Sequence, residues 1–262
     1  MKNIEDFKKY KSEEKKITMT TCYDFWSARI IDESNIDAVL VGDSVAMVMY
    51  GYETTVNASV EMIAQHTKAV RRGLRNKFLI SDLPFLAHKR GRSRLVDAVD
   101  TIFKAGAEAI KIEGADGILE DIEFLVLSGI PVMGHLGLTP QFVHKFGGFK
   151  VQGKERDKAE KIIDDAKRLE YAGISALFLE MIPSNLAKVI TETISIPTIG
   201  IGAGKYTSGQ ILVLHDLLGL SKEFKPKFLR EYLAGYELVN SALNNYQKDV
   251  GHNFFPSAKE SY

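Results

Sequence analysis

A closed (β/α)8 barrel of the α/β class, the TIM-barrel architecture folded as a single domain over 1–262, is the fold this sequence predicts, and three features predict it. Eight short β-branched or apolar runs follow one another along the chain, helical periods separate them, and turn residues fall in between. The 262 residues lie close to the roughly 200–250 at which such barrels fold as one unit.

The candidate strands are ITMTTC (17–22), AVLVGD (38–43), FLISDL (78–83), AIKIEG (109–114), PVMGHL (131–136), ALFLEM (176–181), PTIGIG (197–202) and ILVLHD (211–216). Helical periods occupy 25–34, 59–73, 93–105, 117–128, 156–172, 184–193 and 227–247, with Ser93 and Ser184 placed as N-caps. Gly73, Gly106, Gly129 and Gly173 stand where helix C-termini are expected. One connection is irregular: 137–154 (GLTPQFVHKFGGFKVQGK) carries glycines, a proline and aromatics instead of a helical period, which suits an active-site lid or wall.

Composition excludes several classes. Hydrophobic residues are 45% and charged residues 26%, enough for one large core. The 34 basic and 34 acidic residues cancel, so no net field recruits nucleic acid or an anionic membrane, and the expected partners are small molecules. Cys22 is the only cysteine, which excludes an intrachain disulfide and a cysteine-rich zinc cluster and fits a reducing cytoplasm. The N-terminal MKNIEDFKKYKSEEKK has no apolar segment, and no later run approaches the ~20 apolar residues of a membrane span. The expectation is a cytoplasmic protein, neither secreted nor embedded.

In such barrels the chemistry sits at the C-terminal ends of the strands. Asp43, Asp82 and Glu113 each close a candidate strand, with Val39 and Val41 or Phe78 and Ile80 as interior positions before them. Acids converging in a closed space need a cation or a proton, and hard oxygen ligands suit Mg2+; taken singly, each can instead cap a helix or pair with a nearby Lys or Arg. Lys111 shares a strand face with Glu113, where it can bind a substrate carboxylate, stabilise an enolate oxygen, or form a buried ion pair. Glu180, in the apolar ALFLEMIP, is the first choice for proton abstraction, with a partner for the helix near Ser184 as the structural alternative.

His135, in GHLG, is a secondary candidate for metal, substrate or packing. Gly200, Gly202 and Gly204 in GIGAG make either an anion cradle or a tight turn. KRGRSR (89–94) reads as a solvated loop or as a greeting for a polyanionic cofactor tail, while His66 and Cys22 have no partners spaced for nucleophilic catalysis.

Several strings carry a resemblance: VGDS (41–44), SDLPF (81–85), IKIEG (110–114), GHLGLTPQ (134–141), KVQGK (150–154), LFLEMIP (177–183), IGIGAG (199–204) and GQILVLHDLLGL (209–220). In this order, from about Lys9 to Pro256, they resemble the 3-methyl-2-oxobutanoate hydroxymethyltransferase (ketopantoate hydroxymethyltransferase) family. The resemblance implies transfer of a hydroxymethyl group from 5,10-methylenetetrahydrofolate to 3-methyl-2-oxobutanoate, giving 2-dehydropantoate for pantothenate and coenzyme A. It further implies Mg2+ on Asp43, Asp82 and Glu113, the 2-oxo acid on Asp43, Ser44, Asp82 and Lys111, and Glu180 as proton acceptor. A homo-oligomer, commonly a decamer, is implied in the same way. NASVEM (57–62) is less threonine-rich and HKRGRSR (88–94) more basic than the family pattern, so transfer of roles is weakest beside the folate site.

Two rival readings differ in kind. A Mg2+-dependent 2-oxo-acid lyase or mutase of the isocitrate lyase type shares the barrel but typically carries a KKCGH-like loop, which is missing here. A catalytically silent barrel used as a scaffold would not require Asp43, Asp82, Lys111, Glu113 and Glu180 all to be present.

Overall fold

The computed structural model describes residues 1–222 and 225–262. Contacts divide the chain into two compact units, Met1–Val213 and Leu214–Tyr262. The first begins with α1 (Glu5–Ser12), β1 (Ile17–Thr21), α2 (Phe25–Glu33), β2 (Ala38–Val41), α3 (Val45–Val48), α4 (Val60–Gly73) and β3 (Phe78–Asp82). It continues with α5 (Arg92–Lys104), β4 (Ala109–Glu113), α6 (Leu119–Leu127), β5 (Val132–Gly137), α7 (Val143–Phe146) and α8 (Arg156–Tyr171). β6 (Ala176–Glu180), α9 (Ser184–Thr193), β7 (Thr198–Ile201) and β8 (Gly209–Leu212) complete it. The eight strands run parallel in sequence order and close where β8 pairs with β1, Ile17 opposite Gly209.

The barrel interior explains the strand sequences. Side chains alternate across a strand, so every second residue faces the axis. Ile17, Met19, Ala38, Leu40, Phe78, Ile80, Ala109, Met133, Ala176, Phe178, Ile199 and Ile211 form one buried cluster. α1 closes its N-terminal end: Phe7 is fully buried in that cluster and meets Phe78 edge-to-face at 5.6 Å. Burying one such ring contributes about 1.5–3 kcal/mol. The sequence reading missed α1 because the segment is so charged, although Ile4, Phe7 and Tyr10 recur at the three-residue spacing of a helix face.

The structure corrects several boundaries. Val39 and Val41 are not interior positions; the inner cluster takes Ala38 and Leu40, which puts the two valines on the helix-covered face. Ser93 and Ser184 are not N-caps. Gly91 caps α5 with φ +89 and its carbonyl starts the ladder, while Pro183 caps α9 and leaves Ser184 as the first helical residue. Gly106, Gly129 and Gly173 do follow helices, each with positive φ. β8 begins at Gly209, where an added Cβ would lie 2.5 Å from the Ile17 carbonyl oxygen, and it ends at Leu212, so only the first two residues of the run expected at 211–216 are strand.

In the second unit, α10 (Leu214–Leu217) takes up the end of that run, and α11 (Gly235–Gly251) starts later than the expected 227. The intervening amides are engaged elsewhere: Leu229 N–H donates to Pro226 O and Tyr232 N–H to Leu217 O, so no helical ladder forms there. Among the described residues no helix is long and apolar enough to cross a membrane.

The irregular connection expected at 137–154 leaves β5 beside Glu180. Gly137 has φ +94, and an added Cβ would fall against the Glu180 carbonyl oxygen, which itself accepts the Leu138 N–H at 2.8 Å. Gly137→Ala therefore combines a left-handed backbone with a steric clash. Its expected cost is about 2 kcal/mol or more, read as a lowered denaturation midpoint. An unchanged midpoint would show that the loop root has room to move.

Candidate active site

Strand phase sets the site. The inward rows run Phe78–Ile80–Asp82 on β3, Ala109–Lys111–Glu113 on β4, Met133–His135 on β5 and Ala176–Phe178–Glu180 on β6. Each ends in a polar or charged side chain at the C-terminal rim. On β2 the inward row passes Leu40 to Gly42, and Asp43 reaches the rim because the chain leaves the strand after Val41 and turns into α3.

The sequence-predicted residues meet there. Asp43, Asp82, Lys111, Glu113 and His135 are each no more than 4% exposed, whereas the Glu180 side chain keeps 16% exposure at the lip. Lys111 Nζ lies 3.0 Å from Asp82 Oδ1, 3.5 Å from Glu113 Oε1 and 3.1 Å from His135 Nδ1. His135 Nδ1 is 3.2 Å from Glu113 Oε1, and its Nε2 is 3.3 Å from Glu180 Oε2. Asp82 Oδ2 accepts the Asp43 backbone N–H at 2.8 Å. Ser44 is displaced to the side, where its hydroxyl pairs with the buried Tyr23 hydroxyl at 2.7 Å.

Charge is unevenly compensated. Burial, with Asp82 and Glu113 close by, pushes the Asp43 carboxyl well above the usual carboxylate range. Burial also raises Asp82, with Lys111 partly offsetting it. Glu113 is held below its usual range, because His135 and Lys111 outweigh the burial that opposes its charge. Lys111 is raised despite burial by Asp82 and Glu113. Burial and Lys111 push the His135 imidazole down, but Glu113 and Glu180 reverse this and hold its pKa at about 9. Its Nδ1 cannot both donate to Glu113 and accept from Lys111, so the proton on Nδ1 faces Glu113 and the lysine lies alongside.

The donor chemistry fits a hard divalent cation. Asp82 Oδ1 and Glu113 Oε1 are buried and meet their neighbours at ion-pair distance, both facing Lys111, with Glu113 Oε1 also facing His135 Nδ1. The excess of negative charge that raises Asp43 is what a cation would relieve. Among the described residues no group of three His, Cys, Asp or Glu side chains is already arranged around a common point; the oxygens are turned toward Lys111 and Gln141.

A model of the ketopantoate hydroxymethyltransferase family matches residues 1–258. The chain belongs to this family. The 3-methyl-2-oxobutanoate hydroxymethyltransferase of Coxiella burnetii (strain CbuG_Q212) is 54% identical over 255 residues, covering 97% of this chain and 96% of the relative. That of Bdellovibrio bacteriovorus is 52% identical over 262 residues, with both chains fully covered. Among solved structures, a phosphonopyruvate hydrolase has a TM-score of 0.67 at 12% identity, covering 99% of this chain and 93% of that one. A 2,3-dimethylmalate lyase has 0.61 at 13%, covering 100% and 92%. Those two likenesses carry the barrel alone. As a ketopantoate hydroxymethyltransferase family member the chain is a transferase whose co-substrate is a one-carbon donor.

The other singled-out residues have mainly structural partners in this family member. Gly202 and Gly204 have positive φ, and an added Cβ at Gly204 would meet Ser184, so the GIGAG turn admits the chain's own packing. In the basic loop, Lys89 Nζ donates to the Asp116 and Gly117 carbonyls, and Arg92 pairs with Asp121 while covering the Phe124 ring at 4.7 Å. His66 bonds Tyr50 at 3.1 Å, and buried Cys22 lies 3.3 Å from the Ser27 hydroxyl. Sequence reasoning missed Tyr23 and Gln141. Tyr23 directly follows the first strand and falls under the rim rule, whereas Gln141 sits in the aperiodic loop, where spacing carries no signal.

Proposed function

We propose that this enzyme transfers a hydroxymethyl group from 5,10-methylenetetrahydrofolate to 3-methyl-2-oxobutanoate, giving 2-dehydropantoate on the route to pantothenate and coenzyme A. The observation that carries this reading is the pairing of a buried acid–lysine cluster with a carboxylate, Glu180, at its open lip. Asp43, Asp82 and Glu113 would hold Mg2+. Bound there, it supplies a Lewis acid for the carboxylate and ketone oxygens of the 2-oxo acid.

The chain's own groups do the rest. Lys111, together with Asp43, Asp82 and Ser44, orients the acid, and the lysine ammonium meets charge passing from C3 to the 2-oxo oxygen. Glu180 removes the C3 proton. His135 holds that carboxylate from below through Nε2 and ties it to Glu113 through Nδ1. Water cleaves both C–N bonds of the folate methylene, leaving tetrahydrofolate and a carbon at the formaldehyde level. C3 forms its new bond to that carbon, whose oxygen becomes the hydroxyl by taking the proton held on Glu180. The 137–154 segment walls the site beside Glu180. We further propose that 1–262 acts as one catalytic domain, in the cytoplasm, as a homo-oligomer; light scattering tests the decamer that the family resemblance implies.

Proton NMR of 3-methyl-2-oxobutanoate in D2O with the protein, Mg2+ and 5,10-methylenetetrahydrofolate is the direct test. The expected result is 2-dehydropantoate formation that stops on chelation, with C3 exchange continuing when folate alone is withheld. Neither exchange nor product from folded protein would overturn the reading.

A further inference from the structure

Gln141 reaches two of the three acids at once, and none of the roles given above belongs to it. It is 2% exposed, in the short 3-10 turn Pro140–Phe142 of the wall segment. Its backbone N–H donates to Glu113 Oε2 at 3.1 Å. Its side-chain Nε2 donates to Asp43 Oδ2 at 2.9 Å and to the Leu83 carbonyl at 3.0 Å. The Leu83 carbonyl can only accept, so the amide orientation is fixed by chemistry: nitrogen must face it and Oε1 must face away. That Oε1 is buried and has no hydrogen-bond partner.

We infer that Gln141 is a positioning residue, which sets the separation of Asp43 and Glu113 for cation binding and offers Oε1 to a donor that arrives with the cation, such as a coordinated water. The Leu83 bond explains why the side chain holds its place while Asp43 is engaged. It anchors the amide to the main chain just beyond β3, so the residue spans three strand ends, its side chain holding Asp43 after β2 and Leu83 after β3 and its backbone N–H holding Glu113 on β4. Hydrogen-bond partners of ligating carboxylates typically change metal affinity about 10–100-fold when removed. The inference rests on the proposed cation site but not on the identity of the one-carbon donor.

The test is calorimetric titration of the purified protein with Mg2+ alone. Gln141→Met keeps the length and the backbone N–H to Glu113 while deleting the amide. Its Mg2+ affinity is expected to fall at least about tenfold, with C3 exchange depressed at low Mg2+ and restored at saturating Mg2+. A merely structural role would lower the melting temperature and leave both readouts unchanged, which overturns the inference. Should the methionine variant fail to fold, Gln141→Asn, whose amide is one carbon too short to hold Asp43 and Leu83 together, is expected to show the same loss; wild-type affinity in it overturns the inference. Wild-type protein that binds Mg2+ in a Gln141-dependent way yet exchanges no C3 proton would sink the proposed reaction and leave this inference standing. Wild-type protein that binds no Mg2+ sinks the inference.

Discussion

Replacing Glu180 by glutamine is expected to slow C3 proton exchange and turnover by about 100- to 10,000-fold while leaving Mg2+ and 2-oxo acid binding near wild type. The carboxamide preserves shape but cannot accept a proton as a base. Glu180 stands apart from the acids assigned to the cation: among the described residues its carboxylate meets His135 Nε2, and 16% of its side chain remains exposed where substrate would arrive. Removing it should therefore act on the chemical step and leave ground-state binding intact, so kcat falls with KM nearly constant. Exchange followed by NMR and binding followed by calorimetry separate the two. Wild-type exchange in Glu180→Gln would move the base elsewhere, and His135, in contact with it, would be examined next.

Lys111→Met is expected to be the most destabilising substitution in the site. Lys111 lowers the charging cost of Asp43, Asp82 and Glu113 together, and no other lysine or arginine lies within ion-pair distance of the three among the described residues. Removing one partner from a buried ion pair costs about 3–5 kcal/mol, because charge is left uncompensated. The sign with pH follows from the direction of the shifts. Without the lysine the folded-state pKa values of the three acids all rise. A raised acid contributes stability that is present below its unfolded value, near 3.8 for the aspartates and 4.5 for the glutamate, and lost as pH climbs through the folded value. The deficit of the variant should thus be small in acid, grow toward neutrality, and shrink again when Mg2+ is added. Urea midpoints across that range measure it; a deficit independent of pH would mean that Lys111 matters by packing alone.

Most of the barrel was legible because parallel strands buried on both faces leave dense apolar runs, and seven of the eight lie where those runs were read. The eighth blurred because apolar spacing in 211–218 suits a helix as well as a strand; only the seam at Gly209 decides between them. α1 was hidden by its lysines and acids. At the site, carboxylates at strand ends announced themselves, and Lys111 with Glu113 followed from alternation. Asp43 joins the buried cluster by a different route from the one alternation suggests, since Val39 and Val41 point outward and the chain leaves the strand after Val41. Gln141 was illegible, since its importance comes from where an aperiodic loop happens to land.

The ring of Phe7 lying under the inner cluster has a kinetic meaning on the proposed reading. A well closed at its floor has a single doorway, and both reactants must use it. The small acid belongs deep, against Lys111, and the bulky folate can only stand above it. Loading and emptying then become a queue: the acid in first, the carrier over it, and the elongated acid held until the carrier has stepped away.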